Sequence, residues 1–222
     1  MATRTRNTDR RDDALSKVRI VESAVAMLDE AGESGLTFRA LSARLQTGPG
    51  AIYWHVANKD ELLAAATNAA LTSRMTAEAA VGPPKDVIRA IALIMFDAID
   101  EHPWLGEQLS RGPWQGVTLQ ICERIGQQIQ AMGVPAGAQF TSASALMIYI
   151  LGAARQNAAN ARMHPPGTDR AEILETHAAA WRSLDPRQFP FLHDIAGQLR
   201  DHDDRAQFLD GINLILTGVS DL

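Results

Sequence analysis

The chain has 222 residues, 46% of them hydrophobic and 5% aromatic, with a formal net charge of −5. That length suits one large domain or two small ones, and an apolar set led by Ala and Leu with few rings fits helices rather than a β-sandwich. A single cysteine, Cys122, excludes an intramolecular disulfide and a cysteine zinc site. No unbroken apolar run approaches the ~18 residues of a membrane span, and the N-terminus lacks the apolar core of a signal peptide, so a cytoplasmic protein is expected.

The charge is unevenly spread: residues 1–60 carry 9 Lys/Arg against 8 Asp/Glu, whereas residues 61–222 carry 12 against 18. Arg4, Arg6, Arg10 and Arg11 make residues 1–13 a flexible basic arm, either a phosphate contact or a solvated tail. Leu15, Val18, Val21, Val25 and Leu28 recur at helical spacing, and Gly32 is the stop. Thr37 caps a second, short helix whose inward face is Phe38, Leu41 and Leu45. Gln46-Thr47-Gly48 breaks it, and Pro49 opens a third short helix buried through Ile52 and Val56. Asn58 caps a fourth helix running toward residue 79, with Asp60 and Glu61 at its positive end. Gly82-Pro83-Pro84 is the clearest break. Helices are then expected over 85–101, 115–132, 140–163, 169–182 and 206–219, with a short segment at 102–109 and an irregular loop over 183–194. The fold class is all-α: a three-helix helix-turn-helix domain over 14–62, then a larger helical domain over 63–222.

Two short helices joined by a tight turn after a longer one form the helix-turn-helix pattern, whose last helix enters the DNA major groove. The run LTFRALSARLQTGPGAIYWHVANKDELL resembles the DNA-binding domain of the TetR family of repressors, with Tyr53-Trp54-His55-Val56, Asn58-Lys59 and Leu62-Leu63 in register. The YWHV form is similar to the tetracycline-repressor branch. The resemblance covers residues 14–65; beyond it only length and helical character agree. It implies that Thr37, Thr47, Tyr53, His55 and Lys59 hold phosphates, that Arg39 reaches a base, and that Trp54 lies inside against the first helix. Gly48, Pro49, Gly50 and Ala51 would face the groove, offering close approach but few side-chain hydrogen bonds. Two glycines weaken so short a helix, each by about 1 kcal/mol relative to Ala, so it is expected to order partly on binding. The ordinary alternatives are a core position for Tyr53, a plain surface role for His55 and an ion pair between Arg39 and Glu33.

The resemblance further implies that the larger domain binds a small molecule and forms a homodimer. Met147 and Ala154 on the long helix, with Phe208, Ile212, Ile215 and Val219 on the last, are the candidate dimer face; the alternative is that both stripes face their own core. Met95, Phe96, Ile99, Trp104, Trp114, Met147, Ile150 and Asn157 are the candidate lining of an effector pocket, with His102 at a helix end. The partners expected are a double-stranded DNA operator, a second copy of the chain and a largely apolar effector, with no cofactor, metal or membrane. An enzyme is disfavoured by the lack of a Gly-rich phosphate loop, a Gly-x-Ser-x-Gly elbow or paired histidines. A ligand-independent architectural DNA binder and an activator remain the alternatives.

Overall fold

The computed structural model describes residues 15–77, 81–111, 116–163 and 167–222, and every regular element within them is helical. The basic arm and Trp114 lie outside the described residues.

Helix α1 spans Lys17–Gly35, capped by the Ser16 hydroxyl and broken near its end at Gly32, whose φ of 65° is left-handed. Helices α2 (Phe38–Arg44) and α3 (Pro49–Tyr53) follow, joined by a turn in which Gln46 also adopts a positive φ of 52°. The Thr37 hydroxyl accepts the Ala40 N–H at 3.1 Å, as its capping role requires. Helix α4 (Lys59–Ala77) is capped reciprocally: Asn58 accepts from the Glu61 N–H, and the Glu61 carboxylate accepts from the Ala57 N–H. The helix runs straight through the boundary expected at 62/63. Ile20, Leu28, Leu41, Ile52 and Leu62 are wholly buried and hold these four helices together. With Ile52 as its anchor, α3 is helical over Pro49–Tyr53.

The larger part comprises α5 (Pro84–Glu101), α6 (Trp104–Arg111), α7 (Gly116–Ala131), α8 (Ala136–Arg162), α9 (Arg170–Arg182), α10 (Pro190–Ile195) with a 3₁₀ turn at Ala196–Leu199, and α11 (Asp204–Ser220). The stretch 183–194 thus is not wholly irregular: Pro190 opens a helix there, its ring suited to a first turn. Helices α5, α7, α8 and α11 pack around a continuous apolar core. Helices α9 and α10 and the 3₁₀ turn pack chiefly on one another. By hydropathy and length α8 could cross a membrane, with a mean hydropathy of 1.2. Here it is the central helix of the bundle, its inner face at Leu146, Ile150 and Ala154 buried against α5, α7 and α11.

That inner face corrects the expected dimer stripe. Met147, Ala154, Phe208, Ile212 and Val219 are all buried within their own chain, and Ile215 packs against the same core. The outward stripes are displaced around each helix: Phe140 and Ile148 on α8 are 68% and 72% exposed, and Leu214 on α11 is 75% exposed. Periodicity showed that each helix has an apolar side, and the core took the larger one.

Candidate nucleic-acid interface and effector cleft

The short helices turn their polar and ring-bearing sides outward. Thr37 and Arg39 at the start of α2, and Gly48, Pro49 and Gly50 at the start of α3, are exposed; Thr47, Ala51 and His55 are half-buried. Arg39 has no ion pair among the described residues. The Glu33 carboxylate goes instead to Gln108 and Arg111, and Arg44 forms a two-pronged pair with Glu30 at 2.7 and 2.9 Å. Tyr53 is 54% exposed and stacks flat on Phe38, with centroids 4.6 Å apart and planes within 1°. The stack holds the phenol against the start of α2 and leaves its outer part in solvent.

Two expectations need correction. Trp54 does not wedge against α1; it is 89% exposed, the most exposed ring in the domain. It caps α3 at its C-terminus, and Ile52 and Val56 on either side of it already fill the buried positions. Lys59 is not free to serve a phosphate alone. Its ammonium donates to the Glu33 carbonyl at 2.8 Å and lies 3.9 Å from the Glu33 carboxylate, tying α4 to the end of α1.

A polar seam joins this domain to the rest. One oxygen of Asp29 on α1 meets His102 Nδ1 at 2.8 Å and accepts the Trp104 indole N–H at 2.7 Å. Glu33, one turn on, accepts from Gln108 and Arg111 of α6. His102 and Trp104 thus tie α1 to the larger part of the chain, and His102 also lines a pocket of about 350 Å³ with Glu22, Val25, Ala69 and Arg74. On its other side α6 lies close to α8: a Cβ at Gly106 would clash with the Arg155 side chain, and Arg155 donates to the Ser110 hydroxyl at 3.2 Å.

Most of the expected pocket lining is solid core. Met95, Ile99 and Ile150 are completely buried, and Met147 nearly so. Open space lies at the far end of α8 instead. A pocket of about 320 Å³ is lined by Phe96, Tyr149, Asn157 and Phe208 among others. It adjoins one of about 710 Å³ formed with α9 and the 3₁₀ turn, and the two share Asn160, His202 and Asp204. Of the expected lining, Phe96 and Asn157 belong to this cleft. His202 and Asp204 were missed because they sit in a loop and a helix start far from α8 in sequence. Burial pushes the Tyr149 hydroxyl above its ordinary range, with the Asp210 charge adding to it. Burial likewise pushes the Cys122 thiol up, which disfavours the reactive thiolate.

Residues 20–66 match the family model for bacterial regulatory proteins of the tetR family, and residues 85–222 match that for the tetracyclin repressor-like C-terminal domain. The chain belongs to the TetR family of transcriptional regulators. The second match corrects the view that only the first domain carries a family signature. The solved structure of SCO7222, a TetR regulator from Streptomyces coelicolor, is 54% identical, with a TM-score of 0.85 over 94% of this chain and 99% of that one. An HTH-type transcriptional regulator of Saccharopolyspora erythraea is 29% identical over 200 residues, 88% of this chain and 83% of its own. ActR from Streptomyces coelicolor, solved in complex with actinorhodin, shares the fold at 24% identity and a TM-score of 0.74, over 93% of this chain and 97% of that one.

Proposed function

We propose that this TetR-family protein is a repressor that binds a palindromic operator as a homodimer and is released by a small molecule. The observation that carries the DNA reading is the exposed strip of Arg39, Tyr53 and Trp54 over a buried Ile52. Exposed rings gain by leaving water when a partner covers them, and the unpaired guanidinium beside them is a ready hydrogen-bond donor to a phosphate or a base edge. Thr37 and His55 flank the strip as phosphate contacts, Thr47 supports it from the turn, and the Gly48–Ala51 backbone permits close approach. Arg39 is assigned the base contact, and Lys59 the positioning of α4 against α1.

Two-fold operators call for two recognition helices about 34–36 Å apart, hence two copies of the chain. The outward stripes of α8 and α11, around Ile148 and Leu214, are suited to that contact, and a partner copy rather than lipid is assigned to them. The cleft at the end of α8 is assigned the effector; in ActR the same fold takes up actinorhodin. Signal passage from cleft to DNA has a contiguous route: α8 to α6 across Gly106, and α6 to α1 through Asp29 and Glu33. A ligand that favours another placement of α6 shifts the population away from the DNA-binding spacing.

The test is fluorescence anisotropy with the DNA upstream of the protein's own gene. Saturable binding that withstands random duplex, weakens with salt and fits two copies per site is expected. Equal affinity for random DNA would favour an architectural binder instead.

A further inference from the structure

We infer that Glu33 is a positioning residue for the DNA contact, its charge covered by α6 so that Lys59 stays available to a phosphate; the inference rests on the DNA-binding reading. Glu33 stands where three helices meet. The break at Gly32, with its φ of 65°, ends the regular run of α1 one residue earlier. The Glu33 carbonyl is left to accept from other segments, and takes the Lys59 Nζ at 2.8 Å and the Leu36 N–H at 3.3 Å. Lys59 opens α4 and follows His55, at the end of the exposed strip, by four residues. An ammonium has three N–H donors, so the carbonyl leaves two of them unused.

The carboxylate of the same residue is turned to α6. Its Oε2 accepts from Gln108 Nε2 at 2.8 Å and from the Arg111 guanidinium. Its Oε1 lies 3.9 Å from the Lys59 Nζ, past hydrogen-bond reach. Among the described residues only Gln108, Arg111 and Lys59 bond or pair with this side chain. Other charges at the corner are committed: Arg111 also to Glu107 at 2.6 Å, Glu30 to Arg44, Asp29 to His102 and Trp104, and Glu61 to Lys17. Asp60, beside Lys59, has no ion pair among the described residues, and its charge is the same in every variant below.

Withdrawal of α6 uncovers a carboxylate whose one remaining partner is Lys59. That pair closes, a second donor of the ammonium turns inward, and a bare negative charge is left beside the phosphates. DNA affinity falls with no change in the recognition helix itself. The tie through Asp29 has no such continuation into α4. Because α6 abuts α8 at Gly106, a shift of α8 reaches Arg111 along a single helix. The Glu33, Lys59 and Arg111 side chains are 28%, 38% and 52% exposed, so the effect is moderate and salt screens it.

The test is operator binding by anisotropy with the full-length protein, without effector, for wild type, R111Q, E33Q and E33Q/R111Q. R111Q is expected to bind about fivefold more weakly, with a penalty that shrinks as salt is raised. E33Q keeps an acceptor for Gln108 and Arg111 but no charge, and should bind at least as tightly as wild type. The double variant should bind within about twofold of E33Q, since no carboxylate is left to uncover. An Arg111 that touched DNA itself, or merely held the fold, would keep its full penalty in the E33Q background. That outcome, an R111Q that binds like wild type, or an E33Q as weak as R111Q would overturn the inference and leave the DNA reading standing. No saturable binding of operator or random duplex by the wild type would overturn the DNA reading and the inference together.

Discussion

The two ends of the molecule store function in opposite ways. In the DNA-binding domain the working side chains point out of the core: Arg39, Tyr53 and Trp54 are exposed while Ile52 and Leu41 are sealed. In the larger domain most rings and apolar side chains point inward, and the cleft proposed for the effector lies at a junction of α8, α9 and the start of α11. A short contiguous motif suffices for the first arrangement; the second requires segments distant in sequence to meet. Substitutions should therefore separate cleanly, with activity lost without stability at one end and both disturbed where the two are joined.

The sharpest break in that contrast should come from the surface of the bundle. Ile148→Lys with Leu214→Lys places charges on the outward stripes, away from the protomer's core. Sedimentation should show the 24.1 kDa protomer in place of the dimer, and operator affinity should fall by more than about a hundredfold as the second half-site contact is lost. Next in size is Arg39→Ala, expected to cost about 1–3 kcal/mol of operator binding with an unchanged melting temperature, read by anisotropy and thermal denaturation. A melting temperature that falls with it would mean that Arg39 is structural. Asp29→Ala acts at the junction. It strips the partner from the buried Trp104 indole N–H, so a stability loss of about 1–2 kcal/mol is expected in urea unfolding, together with weaker release of DNA by ligand. Retained coupling would remove this tie from the signalling route.

The smallest effect is on the acid limb of stability. Hydrogen bonding to Arg44, followed by its charge, holds the Glu30 carboxyl below its usual value near 4.5; Glu175 is held down likewise by Arg182 and Arg200. Groups depressed in the folded state stabilise above their unfolded value and lose that contribution as pH falls through their folded value. Both effects belong below about pH 4.5, and both carboxylates lie on the surface, so salt should flatten them. Glu175→Gln should remove one step from the acid titration of stability and leave neutral pH nearly unchanged.

How much of this was legible follows the same contrast. The caps at Thr37 and Asn58 and the break at Gly32 were readable because each depends on neighbours within four residues; the outward place of Tyr53, which rests on a stack with Phe38, came from the resemblance alone. Trp54 was misplaced because three adjacent rings leave open which one faces inward; Ile52 and Val56 decide it. On α8 and α11 periodicity revealed apolar faces without saying which would meet the core and which a partner. His102 looked like a ligand residue, and only its distance to Asp29, from a helix 73 positions earlier, shows its attachment. The cleft residues His202 and Asp204 carried no local signal.

The Asp29 carboxylate also sets a symmetry on regulation. If one oxygen shared by His102 and Trp104 fixes α6 against α1, the free energy by which an effector loosens DNA is the same by which DNA disfavours the effector. A promoter-bound protein would then be a poorer sensor than a free one. Free copies would fill with ligand first, and the operator would be vacated only once the pool able to replace its occupant had been drained.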